Sequence, residues 1–145
     1  NYDIVYGGGD NGLMGVVANT ALKYNSHVTG IIPSFLDKRE KIHSKINKIY
    51  VTKTMEQRKK KFLQISDSFV ALPGGGGTIE EISLVVSALQ LTVIKNKKCL
   101  IFNYENYWND IINQYKKVVN AKFAYKNFKD LFLVCNNLTE FKEIF

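Results

Sequence analysis

Ser68-Phe69-Val70-Ala71-Leu72-Pro73-Gly74-Gly75-Gly76-Gly77-Thr78-Ile79-Glu80-Glu81 decides the fold. Its first five residues form a buried-type β run that leads straight into four glycines. A long apolar segment of helical length follows, from Thr78 to about Ile94. A strand that breaks on glycine and restarts as a helix is the βα unit of a parallel α/β sheet. In such sheets ligands sit beyond the carboxyl ends of the strands. Successive glycines leave backbone N–H groups uncovered, and the helix start adds its positive dipole end. Residues Pro73 to Thr78 therefore read as a cradle for a phosphate or a carboxylate.

The same alternation extends to both sides. Upstream, Tyr2 to Tyr6 is a β-rich run ending at Gly7-Gly8-Gly9, and Leu13 to Tyr24 carries Leu13, Val16, Val17 and Ala21 at helical spacing. His27 to Ile32 is a strand closed by Pro33, and Lys48 to Thr52 is a shorter one. Thr54 to Ser66 reads as a helix, opened by Thr54 and Gln57 at capping-box spacing. Downstream come a strand over Lys98 to Asn103, a helix over Tyr107 to Asn120 capped by Asn106, a strand at Leu131 to Val134 and a helix at Thr139 to Phe145. Segment 34–47, with Ser34, Asp37, Lys38, Arg39, Glu40 and Lys41, is polar and reads as a loop over the strand ends. The expected architecture is a parallel sheet covered on both faces, in one domain spanning 1–145 without repeat or linker.

Composition narrows the function. Hydrophobic residues at 46% and charged residues at 23% are ordinary for a globular protein. There is no apolar run of membrane-spanning length and no signal peptide, so no membrane partner is expected. Cys99 and Cys135 have no CxxC or metal-ligand spacing and read as reduced core thiols of a cytoplasmic protein. His27 and His43 lack a metal-binding pattern, so no metal is expected. The net charge of +7 suits an anionic ligand. Nucleic acid is not the expected partner, because there is no stacking motif or basic recognition helix. The glycine loop lacks the Gly-Lys-Ser/Thr ending of the ATPase phosphate loop. Gly7, Gly9 and Gly12 match GxGxxG, but Ile31-Ile32-Pro33-Ser34 stands where that fingerprint needs an acidic residue, which argues against hydride chemistry.

Two charged residues fall where apolar ones belong. Arg58 lies on the helical stripe of Met55, Phe62 and Ile65. It must either snorkel outward or meet a carboxylate or bound phosphate. Only Arg39 and Arg58 are arginines in this lysine-rich chain, and arginine offers a planar fork that lysine lacks. Glu81 has two readings. With Thr78 it fits the capping box T-x-x-E. Alternatively it faces a sugar beside the anion cradle, where a carboxylate can stabilise the oxocarbenium-like state of N-glycosidic cleavage and orient water. The segment after it, 82–94, is apolar on nearly every side, which predicts a homodimer packed through it.

Tyr6-Gly7-Gly8-Gly9-x-x-Gly12-Leu13-Met14-Gly15, Gly30-Ile31-Ile32-Pro33, Arg39-Glu40, Met55-x-x-Arg58-Lys59 and Pro73-Gly74-Gly75-x-Gly77-Thr78-x-x-Glu81 stand in order along the chain. The set resembles the LOG ("lonely guy") proteins, once labelled lysine decarboxylases, over nearly the whole length. The resemblance implies a modified Rossmann fold, a doubly wound and mainly parallel sheet with helices on both faces, and a homodimer at least. It also implies a phosphoribohydrolase that uses no cofactor and frees an adenine-type base, often an N6-modified cytokinin, from its riboside 5′-monophosphate. By motif match, Arg58 and Glu81 are the catalytic pair. Met55, Lys59, Pro73, Gly74, Gly75, Gly76, Gly77 and Thr78 hold the nucleotide, with Glu80 close by, and Gly8 and Gly9 line the neighbouring wall. Gly76 stands where the family commonly has an aromatic residue. The family also begins with a further strand and a Gly-Ser turn, so the domain is expected to be short of its N-terminal strand. The competing expectation is a carrier of a nucleotide or of the molybdenum cofactor, as in related folds, which would bind without releasing ribose 5-phosphate. A carrier has little need of the Glu81 carboxylate.

Overall fold

Short β runs separated by helices fold as their patterning predicts in a computed structural model that describes residues 2–36 and 41–144. The order is β1 (Ile4–Tyr6), α1 (Gly12–Lys23), β2 (Val28–Pro33), β3 (Lys48–Thr52), α2 (Met55–Ile65), β4 (Ser68–Ala71), α3 (Gly76–Gln90), β5 (Lys98–Phe102), α4 (Asn109–Asn120), β6 (Leu133–Cys135) and α5 (Leu138–Ile144). All pairings between these strands are parallel, and the class is the expected Rossmann-like α/β. The chain divides into two compact units, Asn1–Ser66 and Asp67–Phe145. Each has its own three-stranded sheet, ordered β1-β2-β3 and β4-β5-β6.

In the first unit β2 is buried along its whole length, the pattern of a strand flanked on both sides in a parallel sheet. Gly8 has φ +86, and a Cβ on Gly30 would lie 2.9 Å from Gly8 Cα. Both the conformation and the close backbone approach demand glycine there. Helix α2 packs on all three strands. Thr54 caps it as expected: its Oγ1 accepts from Gln57 N–H at 3.2 Å, while the Gln57 side chain accepts from Lys53 N–H at 2.9 Å. Residues 37–40, including Arg39, lie outside the described residues.

In the second unit the core gathers around β5, where Cys99, Leu100 and Ile101 are buried. Both cysteines are buried free thiols, and burial pushes the Cys99 thiol up to about 12. Four sequence expectations need correction here. Helix α3 starts at Gly76 rather than Thr78, with Gly75 as its cap and no side-chain cap bond. Thr78 is thus already the third helical residue, and Thr78 with Glu81 is not a capping box. The helix stops at Gln90 rather than near Ile94, since Thr92 turns left-handed at φ +55. The 82–94 segment is also better covered than its composition suggests, because Ile82, Val85, Val86, Ala88 and Ile94 are all buried within the chain itself. Finally, Asn106 does not cap α4, which begins at Asn109. It sits in a 3-10 turn (Tyr104–Asn106) where Glu105 and Asn106 have φ +50 and +62. Among the described residues no helix is long and apolar enough to cross a membrane.

Candidate functional site

β4 delivers the chain, through half-buried Leu72, Pro73 and Gly74, to Gly75, Gly76 and Gly77, which are exposed. The first bond inside α3 runs from Ile79 N–H to Gly75 O at 3.1 Å. The amides of Gly76, Gly77 and Thr78 therefore precede any helical acceptor. No acidic residue lies in the first turn to neutralise the positive end of the helix. A methyl group on Gly75, Gly76 or Gly77 would meet nothing within 4 Å, so these glycines keep the loop surface open rather than relieve a clash. Gly74 differs: a methyl there would collide with Thr78 Oγ1. Thr78 and Glu81, three residues apart, share one face of α3 and are both half-buried, and Glu80 beside them is exposed. The arrangement sets one carboxylate a turn beyond a row of amides suited to an anion.

The exit of β5 adds a residue that the sequence reading missed. The Tyr107 hydroxyl donates to the Gly74 carbonyl at 2.8 Å, and its ring meets Trp108 edge-on at 4.9 Å. The signal was available. β4 and β5 are parallel neighbours with Ala71 opposite Ile101, so residues just past β5 must lie beside the glycine loop. The aromatic pair Tyr107-Trp108, in the turn between that strand and α4, is the feature to notice.

In the first unit Arg58 turns toward the carboxyl end of β1 and does not snorkel away. A Cβ placed on Gly7 would lie 2.8 Å from Arg58 Nη2 and 3.4 Å from Met14 Sδ. The guanidinium also rides over the Phe62 ring, 5.6 Å from its centroid. Met55, Arg58 and Lys59 are half-buried along α2. Gly8 and Gly9 are buried, unlike Gly75, Gly76 and Gly77, and their loop is already strapped. His43 N–H donates to Gly8 O at 3.0 Å, Asp10 N–H to Lys41 O at 2.9 Å, and Gly9 bridges Ile42. Lys41 pairs with Asp10 at 2.8 Å and, by donating to it, holds the Asp10 carboxyl below the usual carboxylate range. His43 is a satisfied core residue, with Lys45 N–H donating to its Nδ1 at 3.2 Å. The first glycine loop is thus closed on itself by residues 41–43. The second is open.

A family model described as "Possible lysine decarboxylase" matches residues 14–144. The chain is 36% identical over 138 residues to the "Probable cytokinin riboside 5'-monophosphate phosphoribohydrolase LOG4" of Oryza sativa subsp. japonica, covering 95% of this chain and 60% of that protein. It is 38% identical over 123 residues to the cytokinin riboside 5'-monophosphate phosphoribohydrolase LOG1 of Arabidopsis thaliana, covering 85% and 57%. With LOG3 of the same plant it shares 39% identity over 123 residues, again 85% and 57%. The chain thus spans about three fifths of the length of these relatives. With a family model matched along nearly all of its length, the chain belongs to the LOG family.

Proposed function

We propose that the chain is the nucleotide-binding domain of a phosphoribohydrolase. It would cleave an adenosine 5′-monophosphate, N6-modified or plain, to free base and ribose 5-phosphate. The observation that carries this reading is the open, acid-free start of α3, with Glu81 half-buried one turn further along the same face. The names of the relatives support the substrate class. Amides of Gly75 to Thr78 take the phosphate, helped by the dipole end and by the adjoining Pro73 and Gly74. Arg58 orients the substrate, with Met55 and Lys59 on the same helix. Glu80 stays near the mouth. As the bond between the ribose C1′ and the base nitrogen breaks, its electron pair leaves with the base, which takes up a proton. Water adds to C1′ and gives a proton to the Glu81 carboxylate, which also steadies the developing positive charge. No cofactor is required by these steps.

The proposal includes a homodimer working in the cytoplasm. Leu91 and Val93, each 68% exposed just beyond α3, are apolar side chains for a second copy to cover. The direct test of the chemistry is Glu81→Ala. That variant should still bind AMP yet release no free base, on a scale of ~10²-fold or more as for loss of a stabilising group at a reacting centre. Chromatography of AMP and N6-substituted AMP incubations reads the outcome. Turnover equal to the parent chain would end the proposal, and binding without base release in the parent chain would favour the carrier.

A further inference from the structure

The turn after β5 holds Glu105 in a left-handed conformation that a glutamate resists. Glu105 and Asn106 are consecutive left-handed non-glycine residues, at φ +50 and +62. Such strain persists only where the surroundings over-determine it. Here the surroundings are centred on Asn103, a buried side chain with every polar atom engaged. Its Oδ1 accepts from Trp108 N–H at 2.8 Å, and its Nδ2 donates to Asn109 Oδ1 and Asn136 Oδ1, both at 3.0 Å. The clamped turn presents Tyr107, whose hydroxyl donates to Gly74 O at 2.8 Å.

That one bond fixes an orientation. In a trans peptide the carbonyl of residue 74 and the N–H of residue 75 point in opposite directions within one plane. A Gly74 carbonyl held on Tyr107 sends the Gly75 N–H the other way, at an exposed residue with open space around it. Glycine on both sides makes this peptide among the easiest in the chain to flip. A flipped peptide would put a carbonyl oxygen, rather than a donor, before an incoming anion. We propose that Tyr107 is a positioning residue, which holds the Gly74–Gly75 peptide with its N–H presented and so sets the loop's affinity for a phosphate monoester. The inference rests on the reading of Gly74 to Thr78 as a phosphate cradle. It does not depend on whether the bound nucleotide is hydrolysed.

The test is Tyr107→Phe, which removes the hydroxyl and keeps the ring, with AMP and adenosine binding measured by calorimetry. AMP affinity should fall about fivefold, the size of one net hydrogen bond. Adenosine affinity should stay as in the parent chain, whatever small drop in the thermal midpoint the lost bond itself brings. A purely structural role would instead weaken both ligands alike, and that result overturns the assignment, as does unchanged AMP affinity. A parent chain that binds AMP no better than adenosine would sink the phosphate cradle itself, and Tyr107's role with it. A parent chain that prefers AMP but releases no base would sink only the hydrolase.

Discussion

Within the glycine loop after β4, Gly74 is the residue at which a single missing methyl matters most. The Thr78 side chain occupies the space that a Cβ would take, and Thr78 is short and β-branched, so it has little room to yield. Gly74→Ala should therefore cost ~1–3 kcal/mol in stability, as overpacking does, and weaken AMP binding as the loop shifts. Gly76→Ala is the contrast, since its methyl enters open space at the first position of a helix. It should leave stability unchanged or raise it by up to ~1 kcal/mol. Urea denaturation of the two variants checks the pair. The four consecutive glycines were plain in the sequence, but their different reasons were not. Only the fold of Thr78 back over Gly74 separates a steric requirement from an open surface.

At the scale of elements, the helix that carries Arg58 depends on its first turn. Arg58 N–H makes an early bond of α2, to Thr54 O at 3.2 Å, and Thr54 Oγ1 holds the neighbouring Gln57 amide. Thr54→Ala should destabilise the protein by ~1 kcal/mol and lower turnover by loosening Arg58, read from denaturation and from base release. This cap was legible because a threonine and a glutamine signed it. The start of α3 was not, because a glycine cap leaves no side-chain signature and Thr78-x-x-Glu81 imitates one two residues later. Asn106 misled in the same way. An asparagine before a helix suggests a cap, yet asparagine also tolerates positive φ, and here the turn uses that second property.

Across the whole molecule, the parallel α/β class could be read from alternation alone, and the buried run of β2 and the glycine exit of β4 were plain as local patterns. What escaped the sequence was long-range. The strap of residues 41–43 over the first glycine loop, the cover found by α3 within the chain, and Tyr107 beside Gly74 all join segments far apart in number. The proposed hydrolase depends on a nucleotide phosphate seated on the opening amides of α3. That seating is tested most directly by backbone amide NMR of the full chain titrated with AMP and, separately, with adenosine. The largest saturable shifts with AMP should fall on Gly75, Gly76, Gly77 and Thr78, and adenosine should leave those four amides nearly unmoved. Saturation by AMP with the shifts elsewhere and these amides silent would contradict the account.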